Sequence, residues 1–96
     1  MASGASNTHF GSFVGVAGDI EIETLPFKPR VMKFWLATGG AIEHGVKFEE
    51  MLTDTYLSTT TGLDAGVTFN SDGTVTIANG ADINSAGDTT YYECEE

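Results

Sequence analysis

Hydrophobic and polar positions alternate along most of this chain, which is the period-two pattern of strands with one buried and one exposed face. The clearest case is residues 19–24, where Ile20 and Ile22 share one face and Glu21 and Glu23 share the other. This alternation predicts a half-exposed antiparallel strand. The chain as a whole is therefore predicted to be all-β.

The densest apolar run, residues 27–37, contains the only tryptophan, and Pro26 and Pro29 bracket its entry. Proline fixes φ and lacks an N–H donor, so this entry is predicted to be an extended corner that leads into a strand from Val31. We predict that this strand is the central strand of a β-sandwich. The predicted core face carries Met32, Phe34 and Leu36, and the opposite face carries Val31, Lys33 and Trp35.

Residues 41–49 alternate again and predict the next strand. One predicted face carries Ile42, His44, Val46 and Phe48, and the other carries Glu43, Lys47 and Glu49. An alternative stays open at the end of this run, because Phe48, Met51 and Leu52 have helical spacing. A single helical turn over residues 48–53 would satisfy that spacing.

The strongest hairpin signal lies at residues 67–77, where two short β-branched runs flank a turn that ends in Asp72-Gly73. Further strands are predicted at residues 8–17, 55–61 and 89–95, and loops at residues 62–66 and 84–88. About eight short strands at this spacing are typical of a small antiparallel β-sandwich with a jelly-roll-like arrangement. We predict one such domain over residues 8–96, preceded by a flexible arm at residues 1–7.

The chain is strongly acidic, with 14 aspartates and glutamates against four lysines and arginines and a net charge of −10. That charge disfavours direct contact with nucleic acid or an anionic membrane, because each phosphate contact needs a cation. It favours solubility or docking on a basic partner surface. We expect no signal peptide and no membrane span. The protein is expected to be made in the cytosol and to act there or in particles assembled there.

No catalytic, cofactor or metal site is predicted. The single cysteine, Cys94, lies between two glutamates that disfavour its thiolate, and His9 and His44 have no neighbouring partner in the sequence. Residues 82–93 approach the spacing of a calcium loop, but Ala86 stands where an oxygen ligand is required. We interpret that segment as a polar turn.

Aromatic side chains suggest a different role. Trp35, Tyr56, Tyr91 and Tyr92 could offer a stacking face for a carbohydrate, although Tyr and Trp are also common at protein interfaces. If Trp35 projects from the outer face beside Lys33, it would be a natural anchor for a neighbouring chain.

Three segments together resemble a known module. The first is Gly11-Ser12-Phe13-Val14-Gly15, which Ile20 and Ile22 follow. The second is Leu25-Pro26-Phe27-Lys28-Pro29-Arg30-Val31-Met32. The third comprises Val75-Thr76-Ile77 and Ile83-Asn84-Ser85-Ala86-Gly87-Asp88-Thr89-Thr90-Tyr91-Tyr92. This pattern resembles a small β-sandwich module of tailed-bacteriophage virion structural proteins, found in tail-fibre knobs and in head or tail proteins.

The resemblance implies a structural, non-enzymatic role with no cofactor. It implies a capsid decoration (cement) protein that binds the major capsid protein on the assembled virion as a homo-oligomer, expected to be a trimer. The alternative is a receptor- or glycan-binding knob of a tail or fibre. The partner-binding residues expected from exposure are the arm residues Ala2, Ser3, Gly4, Ala5, Ser6 and Asn7, together with Lys33 and Trp35 on the sheet.

Overall fold

The computed structural model describes residues 7–38 and 41–96, and within them the chain forms nine strands in two antiparallel sheets. The predicted β-sandwich is confirmed. The predicted arm lies outside the described residues except for Asn7, whose carbonyl accepts the Glu96 N–H at 3.1 Å. The strands are β1 (Thr8–Val14), β2 (Ile20–Ile22), β3 (Val31–Thr38), β4 (Ala41–Phe48), β5 (Thr55–Ser58), β6 (Gly62–Ala65), β7 (Val67–Phe69), β8 (Val75–Ile77) and β9 (Thr89–Glu95).

Two sheets of unequal width make up the sandwich. The wider sheet has the strand order β1-β9-β3-β4-β5-β6, and the narrower sheet has the order β2-β8-β7. Strand β3 lies between β9 and β4, so the strand predicted to be central is an interior strand of the wider sheet. The predicted hairpin at residues 67–77 and the predicted final strand are also confirmed, as β7–β8 and β9.

The core lies between the two sheets. Met32, Phe34 and Leu36 are fully buried, which confirms the face predicted from their alternation. Met32 and Phe34 belong to one buried hydrophobic cluster with Ile22 and Val75 of the narrower sheet. The other members of this hydrophobic cluster are Tyr56, Val67, Ile77, Ala81, Ile83, Tyr92 and Cys94. Burial of apolar surface on both inner faces is what holds a sandwich of this size together.

Strand β6 corrects the loop predicted at residues 62–66. Gly62, at φ 86°, lets the chain turn back after β5, and the strand then pairs with β5 from Thr55 to Ser58. Asp64 points inward and accepts a hydrogen bond from the Tyr56 hydroxyl at 2.8 Å. The strand predicted at residues 55–61 accordingly ends at Ser58, and residues 59–61 form the turn.

Strand β4 keeps the predicted alternation but presents its polar side to the core. Lys47 is buried, whereas His44 and Phe48 are exposed on the other side of the sheet. The neighbouring inward position is Gly45, where the Tyr56 ring occupies the space that a side chain would need. The four methylenes of Lys47 therefore supply apolar volume that β4 would otherwise lack on this face.

The ammonium of Lys47 is satisfied by the loop that follows β4. Its Nζ donates to the carbonyls of Leu52 and Thr55 at 3.1 and 2.6 Å, and it lies 5.5 Å from the centroid of the Phe69 ring. These bonds hold the β4–β5 connection, which consists of turns, against the sheet. No helix occurs in residues 7–38 and 41–96. The alternative of a helical turn over residues 48–53 is therefore wrong.

Candidate functional site

The side of the wider sheet that faces away from the narrower sheet is unusually apolar, and we call it the outer face. An antiparallel sheet with one face in the core usually presents polar side chains on the other face. Here Phe10, Leu63 and Tyr91 are 69%, 64% and 59% exposed. Other described hydrophobic side chains on the outer face are Val14, Val31, Trp35, Val46, Phe48 and Leu57. Exposed apolar side chains on several strands of one sheet are typical of interaction sites.

The strand register brings side chains from three strands into one row across the outer face. Tyr91 of β9 lies opposite Trp35 of β3, and Trp35 lies opposite His44 of β4. The Thr59 N–H donates to the His44 carbonyl at 3.0 Å, which continues the row past the end of β5. The result is an aromatic and imidazole row in the middle of the sheet.

A groove of about 430 Å³ adjoins this row between β3, β4 and β5. Phe34 and Ser58 turn their side chains toward the core and Gly45 has none, so these three residues contribute backbone to the floor of the groove. The side chains at its walls are Lys33, Trp35, His44, Val46, Leu57 and Thr59. Its size suits a projecting aromatic side chain or one small ligand.

Few charges lie on the outer face, although the protein as a whole is acidic. Lys33 forms an ion pair with Glu95 at 3.6 Å, and Glu93 is the other charged residue there. Arg30 pairs with Glu49 at 3.2 Å away from this surface. With Lys47 buried, every described cation except Lys28 is paired or buried, and most of the 14 carboxylates lie elsewhere than on the outer face.

The predicted contact residues are placed unequally. Lys33 and Trp35 lie on the outer face as predicted, whereas Ala2 to Ser6 lie outside the described residues and Asn7 is exposed at the start of β1. The sequence analysis does not predict Phe10 and Leu63 as site residues, and it predicts Tyr91 only as a member of the aromatic stacking set. Register across the sheet brings them onto the same face as Trp35, and no pattern within a single strand reports that register.

Only part of the predicted aromatic stacking set is available at the surface. Trp35 and Tyr91 share the outer face, but Tyr56 and Tyr92 are buried on the core side. Tyr92 packs across Gly11, where its hydroxyl and ring occupy the space of the missing side chain. Two of the four aromatic residues predicted for a carbohydrate-stacking surface are therefore unavailable for it.

Two side chains with titratable groups, Cys94 and Tyr56, are buried in the core. Burial, with the nearby Glu93 carboxylate, raises the pKa of the Cys94 thiol to about 12, which suppresses its nucleophilic thiolate. Burial likewise raises the pKa of Tyr56, whose hydroxyl donates to Asp64. Both groups are packed in the core, and the Tyr56 hydroxyl is also hydrogen-bonded.

In the segment with calcium-like spacing, the Asn84 side chain forms hydrogen bonds to backbone groups of neighbouring loops. The Asn84 side chain accepts from the Val16 N–H at 2.9 Å and donates to the Gly18 and Ala78 carbonyls, so its amide is fully used. Glu93, at the twelfth position of the pattern, lies on β9 opposite Lys33 and faces outward. The described residues contain no group of three or more His, Cys, Asp or Glu side chains arranged to hold a metal ion.

No helix in the described part of the chain is long and apolar enough to cross a membrane. Comparisons of this chain with protein-family models, with curated proteins and with solved structures give no match.

Proposed function

We propose that this chain is a structural protein of a tailed-bacteriophage virion, a decoration protein that binds the assembled capsid through its outer face. It acts as a homo-oligomer on the major capsid protein and reinforces contacts between neighbouring capsid subunits. Binding that is confined to the assembled shell stabilises the shell by mass action. The resemblance of residues 11–32 and 75–92 to virion β-sandwich modules motivates this proposal.

The observation that carries the proposal is the apolar outer face with Trp35 beside a groove. Burying such a surface against a partner lowers the free energy, because apolar atoms are removed from water. An aromatic residue at the centre of a contact surface is the usual position of a binding hot spot. The net charge of −10 then favours partner surfaces that carry lysine or arginine.

Truncating the central aromatic side chain tests this docking surface. We expect Trp35→Ala to weaken co-sedimentation with assembled shells by about tenfold or more, because a central aromatic anchor typically contributes 2 kcal/mol or more to binding. Leu52→Ala is the matched control, since Leu52 is 78% exposed but lies in the β4–β5 connection away from the outer face. Equal binding by Trp35→Ala and wild type would refute docking through this face.

The arm provides a separate test. We expect deletion of residues 2–6 to reduce the amount of protein bound to shells without changing its unfolding midpoint, because the deletion spares Asn7 and its backbone bond to Glu96. Quantitative gel analysis of shells saturated with each form measures the effect. Unchanged shell binding would show that the arm makes no contact with the capsid.

A second candidate function is a glycan- or receptor-binding knob of a tail or fibre. The specific observation in its favour is that Trp35 lines a groove large enough for one sugar ring and lies opposite Tyr91 on the neighbouring strand. Glycan-array binding by wild type that is lost in Tyr91→Ala would support this candidate. Copy number separates the two candidates, because decoration requires a stoichiometry close to that of the major capsid protein and a tail knob requires a small fraction of it.

A further inference from the structure

Strand β1 is a long edge strand without the usual protection. It is the outermost strand on one side of the wider sheet and pairs only with β9. Natural edge strands are usually short or carry charges, proline or bulges that prevent pairing with another chain. The seven residues of β1, Thr-His-Phe-Gly-Ser-Phe-Val, include no lysine, no carboxylate and no proline. The other edge strands, β2, β6 and β7, have only three or four residues each.

The pairing with β9 determines which backbone groups of β1 point away from the sheet. Asn7 accepts from the Glu96 N–H, and the Gly15 N–H donates to the Asp88 carbonyl, so the odd-numbered residues face β9. The even-numbered residues Thr8, Phe10, Ser12 and Val14 therefore turn their N–H and C=O groups to the open edge. Among the described residues, nothing other than β9 pairs with β1.

This set of outward groups is self-complementary under a two-fold rotation. If two copies of β1 run antiparallel with Gly11 on the axis, Phe10 of one copy faces Ser12 of the other. In the same register Thr8 faces Val14, and every outward donor and acceptor on both strands finds a partner. Gly11 meets its own copy at a close, non-hydrogen-bonded position, where two side chains would crowd and glycine has none.

We propose that a second copy of this chain pairs with β1 in this register and joins the two wider sheets into one continuous sheet. Self-pairing is favoured because the edge carries no formal charge, whereas most other surfaces of this protein would repel a second copy. Phe10 and Val14, 69% and 56% exposed in the single chain, are partly covered across the junction. Diagonal contact between the two Phe10 rings adds apolar burial.

The two-fold arrangement has a structural consequence for the outer face. Residues that lie directly opposite each other across an antiparallel pair point to the same side of the sheet. The outer faces of both copies therefore lie side by side on one surface, and the dimer offers two Trp35 rows in place of one. The pairing gives a dimer rather than the trimer expected from the resemblance, and it forms without any capsid.

Sedimentation velocity of the purified full-length chain over a concentration series tests the proposal. We expect a concentration-dependent species of twice the 10.2 kDa chain mass. Phe10→Lys places cations near each other at the junction and is expected to weaken dimerisation by about tenfold or more. Ser12→Pro removes one outward donor without touching the bonds to β9, and it should act in the same direction. Leu63→Lys is the matched control, because Leu63 is similarly exposed on the same face at the opposite edge.

Amide hydrogen exchange on the wild type tests the register without any substitution. The odd-numbered amides His9, Gly11 and Phe13 should be protected at all concentrations because they bond to β9. The amides of Phe10 and Ser12 should become protected only at concentrations where the dimer forms. The proposal would be overturned if these two amides exchange fast in the dimer or are already protected in the monomer. In sedimentation, a trimer, or a dimer that Phe10→Lys does not weaken, would also overturn it. Because no shell is present in either measurement, failure here leaves the docking proposal intact.

Discussion

Replacing Phe34 with alanine is expected to lower the free energy of unfolding by about 3–5 kcal/mol, the typical cost of deleting a buried aromatic side chain. Phe34 is fully buried on the inner face of β3, between β9 and β4, and belongs to the cluster that joins the two sheets. The substitution removes apolar burial and leaves a cavity that the flanking strands cannot close. Urea denaturation followed by tryptophan fluorescence measures the loss.

A matched substitution on the other side of the same sheet distinguishes core from surface. Tyr91 lies on β9 beside Trp35, is 59% exposed, and contributes little to the core. Tyr91→Ala should therefore lower the free energy of unfolding by about 1 kcal/mol or less. If Phe34→Leu, a milder change at the same core position, also costs no more than Tyr91→Ala, the inner face of β3 is not the core.

The second large effect is expected at Lys47. Lys47→Ala removes the buried methylene stem and leaves the Thr55 carbonyl without the ammonium that donates to it at 2.6 Å. A cavity together with an unpaired carbonyl should cost about 2–4 kcal/mol of the free energy of unfolding. Lys47→Met retains most of the volume and should cost less than the alanine variant, so the difference between the two measures the packing of the stem. Equal stability of wild type and Lys47→Ala would contradict the buried position.

The same lysine gives a pH dependence with a definite sign. In the folded chain, burial lowers the pKa of Lys47 below its ordinary value of 10.5, and the negative charge of Asp54 offsets part of that effect. At pH values between the lowered pKa and 10.5, the unfolded chain binds more protons than the folded chain. The free energy of unfolding therefore increases as the pH rises through that range. Wild type should therefore gain stability relative to Lys47→Met as the pH approaches 10.5. A difference that stays constant across this window would contradict the burial of the charged amine.

Much of the fold could be predicted because alternation and turn chemistry are local. The core face of β3 follows from the period-two spacing of Met32, Phe34 and Leu36, which the structure buries completely. The hairpin at residues 67–77 follows from the Asp72-Gly73 turn between β-branched runs. In both places the residues that specify the element lie within it.

The sequence does not predict the buried face of β4 or the existence of β6, because both depend on a neighbouring strand. The polarity of β4 favours burial of Val46 over Lys47, but the Tyr56 ring over Gly45 and the carbonyl partners in the β4–β5 connection place Lys47 inside. Strand β6 reads as a loop because its glycine and aspartate are poor strand formers, and only pairing with β5 makes it a strand. Tertiary partners override local preference at both sites.

The candidate site was only partly predictable for a related reason. Trp35 and Lys33 were placed on the outer face from the alternation of β3 alone, and that placement is confirmed. Tyr91, Leu57 and Phe10 join them only through the order of strands in the wider sheet. A sequence shows which residues share a face of one strand, but a surface made of several strands depends on long-range pairing.

Radical footprinting of the chain, free and bound to assembled capsids, tests the central claim most directly. Oxidative labelling of Trp35 and Tyr91 should fall on binding, because both lie on the outer face that we propose docks on the shell. Labelling of Leu52, in the exposed β4–β5 connection, should stay the same. Unchanged labelling of Trp35 and Tyr91 in the bound chain would contradict docking through the outer face.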